Sequence, residues 1–405
     1  MVEFYTYTLP NGIRGIHRQT SSSVAYCGLI VGCGTRDERE GEFGLAHFTE
    51  HGLFKGTERR RAYQVNCRLE NLGGELNAYT TKEETTIHAT TLKGDFRKAV
   101  ELLSDVTFRS TFPDHEMERE REVVYDEINA YKDSPAEMIY DNFEDMIFGG
   151  SEMGHNILGV KRDIRRFSGD KIRQFTKRCY TTDQMVFSSI GGVSIKRAED
   201  IARHYFGEFA ATSREFERVK PQEIAPFSIA ENRRTHQTHC IIGCRAYSIV
   251  EPKRLPLALL INILGGPSAN SLLNILVRER HGLTYNIEAS YTPYSDTGLV
   301  TIYFSSESAN ADRVVEMIHS EMERLRTTLL TPRQLSMAKR QFVAQLAISM
   351  ESNEGYMLGA GKSYLLHGVV DTVEESYRRV AAITAEEVRD VANEVLQNMS
   401  MLTYK

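Results

Sequence analysis

The sequence predicts an α+β protein of two tandem, homologous domains, each a mixed, mainly antiparallel sheet with helices packed on it. Three observations carry this. At 405 residues the chain is too long for one ordinary hydrophobic core. Strand-like and helix-like segments are interleaved in a fixed order, and that order occurs a second time further along, which a duplication explains most economically.

The elements follow in chain order. Residues 21–35, SSSVAYCGLIVGCGT, are rich in small and β-branched apolar side chains and read as a strand. The next segment, EFGLAHFTEHGLF (42–54), reads as a helix. Residues 73–92, GGELNAYTTKEETTIHATTL, read as two strands around a polar turn, and GDFRKAVELLSDVTF (94–108) as a helix. A further helix is expected over PDHEMEREREVVYDEINAYKD (113–133). The second half repeats the order with HQTHCIIGCRAYS (236–248), the helical LPLALLINILGG (255–266), two strands within 284–304 and the helix ADRVVEMIHSEMERL (311–325). Residues 208–232 mix charge, proline and small side chains without helical period and read as a linker. The domains therefore fall at 1–207 and 233–405.

Composition excludes several function classes. With 41% hydrophobic and 26% charged residues the chain is soluble and globular. A net charge of -6 gives no basic face for nucleic acid. The N-terminus lacks a basic start followed by an apolar run, so no secretion signal is expected. The longest apolar stretch, LPLALLINIL, is half of a membrane span. Six cysteines, none in a CxxC pair, point to a reduced, cytoplasmic protein rather than a disulfide scaffold.

The chemistry is concentrated in HFTEH. On a helix His47 and His51 are four residues apart and share a face, so both imidazoles can reach one ion. Glu50 lies close to that face, where it can hold a water on the same ion. The order HxxEH inverts the zinc motif HExxH. A helix with two satisfied histidines is the plainer alternative, and glycine at 52 hints only at close packing. A catalytic zinc site needs a third protein ligand and an open position. In 113–133, Met117, Val124, Ile128 and Tyr131 form an apolar stripe, with Glu120 and Glu127 beside it, while Glu118, Glu122 and Asp126 point away. A carboxylate turned toward a core is costly unless paired or metal-bound. Either Glu127 or Glu120 is thus the missing ligand.

The HxxEH helix, FKGT (54–57), GGELNAYT (73–80) and REVVYDEI (121–128) together resemble the inverted zincins of the pitrilysin family, in the branch of the mitochondrial processing peptidase and its bacterial relatives. GHNILGVKRDI (154–164), QMVFSSIGGV (184–193) and LVRERHGLTY (276–285) extend the resemblance along the whole chain. It implies a zinc endopeptidase holding one zinc per chain through His47, His51 and Glu127. Glu50 would be the general base and Glu120 the outer carboxylate that orients a ligand histidine. Asn77 and Ala78 match the edge strand on which a peptide is laid as an added strand. Arg278 and Tyr285 match a pair that holds the substrate backbone and stabilises its tetrahedral intermediate. The resemblance also implies half of a clamshell chamber, closed by a second copy or a paralogous partner and admitting short or unfolded peptides.

Two departures stand out. Thr49 and Gly52 replace larger apolar residues and are expected to loosen the helix. LGGPSANSLL (264–273) is short where non-catalytic partner subunits carry a long glycine-rich loop. A non-catalytic assembly subunit is the alternative reading, and the complete set His47, Glu50, His51 and Glu127 speaks against it. His236, His239, Cys240 and Cys244 are spread along a strand, where four residues span roughly 13 Å, and read as packing. His88 and His115 are not expected to be ligands, and TERRRAY (57–63) reads as a solvated turn.

Overall fold

The computed structural model describes residues 4–233, 235–370 and 372–405. Its strands are β1 (Tyr5–Thr8), β2 (Arg14–Gln19), β3 (Val24–Val31), β4 (Glu75–Thr80), β5 (Thr85–Leu92), β6 (Met185–Gly191), β7 (Ser228–Glu231), β8 (Thr238–Ala246), β9 (Asn286–Pro293), β10 (Gly298–Ser306) and β11 (Ser400–Tyr404). Its helices are α1 (Leu45–Leu53), α2 (Ala62–Glu70), α3 (Phe96–Arg109), α4 (Asp114–Lys132), α5 (Pro135–Ile147), α6 (Lys161–Ile164), α7 (Gly169–Cys179), α8 (Ile195–Phe206), α9 (Arg254–Gly265), α10 (Ala311–Thr327), α11 (Pro332–Glu351), α12 (Asn353–His367), α13 (Val373–Ala382) and α14 (Ala385–Val395). Every strand and helix read from the sequence is present within a few residues of its expected ends.

The strands form two sheets, ordered β1-β2-β6-β3-β5-β4 and β7-β11-β8-β10-β9. Apart from β1 the two orders correspond strand for strand. Even the one parallel pair recurs, β2 with β6 and β7 with β11. Two sheets built on the same plan are what a duplication leaves behind.

The compact units, however, interleave along the chain. The first comprises the described residues up to Asn129, His155–Val219 and Ser349–Thr372; the second comprises Ala130–Gly154, Lys220–Ile348 and the described residues from Val373 on. Helix α5 therefore belongs to the second unit, packing Ile139, Phe143 and Ile147 against Ile241 of β8 and Leu402 of β11. Helix α12 belongs to the first, with Tyr356 and Met357 against Ile30, Val186 and Ile190. Contiguous domains at 1–207 and 233–405 miss this exchange, because amphipathic period reports that a helix has an apolar face but not which sheet covers it.

The expected linker is likewise divided. Arg218 binds Asp37 at 2.8 Å and donates to the Glu83 carbonyl, which holds the chain up to Val219 on the first unit. Beyond it, Arg245 donates to the carbonyls of Pro221 and Gln222, and residues 228–231 form β7. The strand was not legible because its four residues are mostly exposed and owe their conformation to pairing with β11.

In the first unit, β4 is the outer strand of its sheet, with Asn77 opposite His88 and Ala78 opposite Ile87 on β5. Helix α1 packs beside this edge and buries Leu45, Ala46, Phe48 and Leu53. It is unbroken at Thr49 and Gly52, so the expected loosening is not seen. Thr49 is wholly buried and donates its hydroxyl to the Leu45 carbonyl at 2.7 Å. Gly52 gives room, since a Cβ there would lie 2.8 Å from the Phe112 ring. That ring is itself fixed. Phe112 is buried and has φ +49, a left-handed conformation that costs a bulky residue about 1–3 kcal/mol.

Gly52→Ala should accordingly lower stability by up to about 2 kcal/mol, because overpacking costs about 1–3 kcal/mol and outweighs the roughly 1 kcal/mol gained in helix propensity. Thermal melts check this against Gly94→Ala, where no atom lies within 4 Å of the added Cβ. The Gly52 variant should melt below wild type and the Gly94 variant with it.

Candidate metal centre

The start of α1 is set by a buried carboxylate. Glu38 Oε2 accepts from the Gly44 amide at 2.9 Å and Oε1 from the Ala46 amide at 2.7 Å, satisfying two of the free amides of the first turn. His155 Nε2 lies 2.8 Å from the same Oε2. Gly44 has φ +98, and a Cβ there would meet the Leu158 carbonyl oxygen at 2.8 Å, so the segment carrying His155 comes close because residue 44 has no side chain.

One turn further along, His47 and His51 project from the same face with ring centroids 4.7 Å apart. Helix α4 buries Met117, Val124 and Ile128 of its stripe together with Glu120, and meets α1 through Met117, beside Gly52, and Glu120, on His51. Tyr131 of the expected stripe is half-buried, and Glu118, Glu122 and Asp126 are exposed. Glu127 Oε2 is 3.8 Å from His47 Nε2 and 3.7 Å from His51 Nε2. Among the described residues this is the one group of three His, Cys, Asp or Glu side chains whose ligand atoms lie within 4.8 Å of one another.

The chemistry of these atoms fits a cation. Glu127 Oε2 is buried and has no hydrogen-bond partner, although much of the side chain is exposed. His51 Nδ1 is 3.0 Å from Glu120 Oε2, and donating that proton leaves Nε2 as a lone pair. His47 is pushed down to about 3 by burial and by His51, so its imidazole is neutral. Three ligand atoms thus converge on one point, and Glu127 Oε2 has no hydrogen-bond partner there. Ligand atoms at about 2.0–2.2 Å from a tetrahedral zinc are roughly 3.4 Å apart, close to the separations here. Burial pushes the His51 imidazole down, but Glu120, Glu127 and Glu50 outweigh it and raise the net value. The site attracts positive charge.

Glu120 is buried, yet it is held below the ordinary carboxylate range by His51 and by Lys55, whose Nζ is 2.5 Å from Oε1. Glu50 is pushed up by burial, against the pull of Thr80 and His51. Its Oε2 accepts from the Thr80 hydroxyl at 2.6 Å. Thr80 ends β4, the edge strand that also bears Asn77 and Ala78. Arg278 and Tyr285 lie in the second unit, Arg278 on the π-helical turn Asn274–Arg280 and Tyr285 just before β9, where it is 87% exposed. His115 is exposed, and His88 bonds Glu354 at 3.1 Å. His239 bonds the Tyr303 hydroxyl while Cys240 and Cys244 are buried, so that strand forms no metal group.

Glu38, Lys55, Thr80 and His155 were not singled out from sequence. Lys55, in FKGT, had a signal: it follows His51 by four residues, just past the end of α1, and pairs with Glu120. Thr80 partners Glu50 across 30 positions and Glu38 partners His155 across 117, although Glu38 also caps the nearby Gly44 and Ala46 amides.

A His-x-x-Glu-His helix joined by a glutamate from a later helix defines an inverted-zincin type of centre. The chain belongs to the insulinase family of peptidases, M16. Residues 16–161 match the family model described as insulinase (peptidase family M16), and residues 166–342 match that of the peptidase M16 inactive domain. The chain is 31% identical over 391 residues to an uncharacterized zinc protease of Bacillus subtilis, covering 96% of this chain and 95% of that one. It is 26% identical to the human mitochondrial-processing peptidase subunit beta, over 97% and 82% of the two chains. In fold it is similar to a protease from Helicobacter pylori, with TM-score 0.91, 19% identity and full coverage of both chains. A peptidase M16 inactive domain structure from Pseudomonas fluorescens matches at TM-score 0.91 and 19% identity over 100% and 98%.

Replacing Glu127 by Gln should weaken zinc binding strongly, whereas Asp126→Asn, on the exposed side of α4, should leave it unchanged. Glu120→Gln should fall between them, since outer partners of a ligand typically cost 10- to 100-fold, roughly, in metal affinity. Competition titration with a chromophoric chelator measures all three. Equal loss at 126 and 127 would refute the assignment.

Proposed function

We propose that the chain is a zinc-dependent endopeptidase acting on short or unfolded peptides, with one zinc per chain held by His47, His51 and Glu127. The observation that carries this reading is the convergence of His47, His51 and Glu127 on one point beside a half-buried glutamate, Glu50, that hydrogen-bonds to none of them. Zinc held there would supply a Lewis acid and would bring the pKa of a bound water to about 7. Glu50 accepts a proton from the attacking water and returns it to the leaving amine. The free edge of β4 at Asn77 and Ala78 offers main-chain groups to an extended peptide, which would hold the scissile bond beside Glu50. Six free cysteines support a reducing, cytoplasmic setting.

Glu50→Gln should retain zinc at one per chain and lose hydrolysis, because the ligands survive and the base does not. Metal analysis and a peptide-library digest followed by mass spectrometry test both halves. A zinc-loaded wild type that cleaves nothing would favour the assembly-subunit reading instead.

The working form in this reading is a dimer, with zinc from one subunit and Arg278 and Tyr285 from the other, enclosing a chamber that folded proteins cannot enter. The second half carries no HxxEH, and its Arg278 and Tyr285 are exposed enough to meet a substrate backbone. A homodimer is the simpler form; a paralogous partner would serve equally. Mixing Glu50→Gln chains with Tyr285→Phe chains should partly restore activity, since one site of the mixed dimer is intact. No recovery despite demonstrated subunit exchange, or an active monomer, would exclude the shared site.

A further inference from the structure

The hydroxyl of Thr80 is committed to Glu50. The two threonines that close the β4–β5 hairpin, Thr80 and Thr85, face each other across the ladder with hydroxyls 3.4 Å apart. Each carries a single O–H proton. Thr85 is wholly buried and donates its proton to the Cys33 carbonyl at 2.9 Å, leaving only acceptor capacity toward Thr80. Thr80 in turn donates to Glu50 Oε2 at 2.6 Å, a short bond of the charge-assisted kind. No other hydrogen-bond or ion-pair partner of Glu50 is found among the described residues. Branching at Cβ stiffens χ1 of Thr80, so the hydroxyl direction follows the strand backbone.

From this we infer that Thr80 is the positioning residue for Glu50, a role that rests on the peptidase reading above. It fixes one carboxylate oxygen and leaves the other free to take a proton. Because Thr80 belongs to the edge strand that also carries Asn77 and Ala78, the base is tied to the strand on which the peptide is laid. An extended substrate that pairs with β4 is thereby registered against the carboxylate that must reach its water. Thr80 touches no reacting atom itself; it acts through Glu50.

The test uses zinc-loaded full-length Thr80→Val, which keeps shape and branching but loses the hydroxyl, and Thr80→Ser, which keeps the hydroxyl. With a peptide that wild type cleaves, Thr80→Val should lower kcat roughly tenfold or more, the worth of a hydrogen bond to a charged group, while KM stays within about twofold. Thr80→Ser should recover most of kcat. Zinc content should remain one per chain in both, and adding Thr80→Val to Glu50→Gln should cause no further loss. Should Thr80→Val fold poorly by circular dichroism, Thr80→Ala takes its place in the comparison with Ser. Wild-type kcat in Thr80→Val, equal impairment of Val and Ser, loss of zinc, or an additive double mutant would each overturn the assignment. An inactive wild type would instead overturn the peptidase reading, so the two failures are told apart by the wild-type rate.

Discussion

The candidate metal centre depends on the carboxylate of Glu38. It is fully buried, accepts the Gly44 and Ala46 amides and faces His155, and so fixes where α1 begins and which way it runs. Burial pushes its carboxyl above the ordinary range, against the pull of His155 and the two amides. Such a group is tolerable only when its lone pairs are matched. Rotation of α1 by one residue, about 100°, would carry His47 and His51 away from Glu127 together. The glycines at 44 and 159 serve the same end. Gly159 has φ +72, and a Cβ there would meet the Phe43 carbonyl oxygen at 2.1 Å, so the GHNILG segment can lie against the helix start only as written.

Charge is graded outward from the three ligand atoms. His47 is neutral and Glu127 presents an unpartnered oxygen, while His51 is steered by Glu120, whose charge is balanced by Lys55. This arrangement compensates the outer carboxylate without placing a cation among the ligands. A lysine nearer the cluster would compete with a metal; at Glu120 Oε1 it only keeps that carboxylate ionised. Glu50 feels His51 and Glu127 through space, but its hydrogen bond is to a hydroxyl and not to a cation. A base paired with a lysine would hold its proton acceptor too weakly basic to be useful.

What the sequence made legible was whatever local periodicity encodes. The HxxEH face, the α4 stripe and the alternating strands all follow from residues within one or two turns or one hairpin, and α4 shows why phase suffices: Glu127 and Asp126 are neighbours in sequence but one is turned to the histidines and the other to solvent. Spacing alone left Glu120 and Glu127 as equal choices. The structure brings both to the site and separates them by which histidine nitrogen each approaches, Nδ1 for Glu120 and Nε2 for Glu127. The exchange of α5 and α12 and the pairing of β7 with β11 were hidden, because each is a choice of distant partner that no local pattern encodes.

The two units show how a duplicated plan comes to do two jobs. Helix α9 follows β8 as α1 follows β3, yet its buried side chains are Pro256, Leu257, Leu259, Leu260, Ile261 and Leu264, with no histidine among them. Where α1 spends buried area on Thr49, Gly52 and a polar ligand face, α9 fills the same role in the fold with aliphatic packing worth about 1.5–3 kcal/mol per buried side chain. Around α1 the first unit adds buried polar contacts: the Glu38 cap, the Arg36–Glu83 pair at 2.7 Å, and Glu42 held by Lys171 and Arg178 and pushed down to about 2 by them despite its burial. Polar contacts of this kind are directional, whereas aliphatic packing is not. Directionality is what a metal site requires of its scaffold, and the Glu38 carboxylate supplies it at the start of α1.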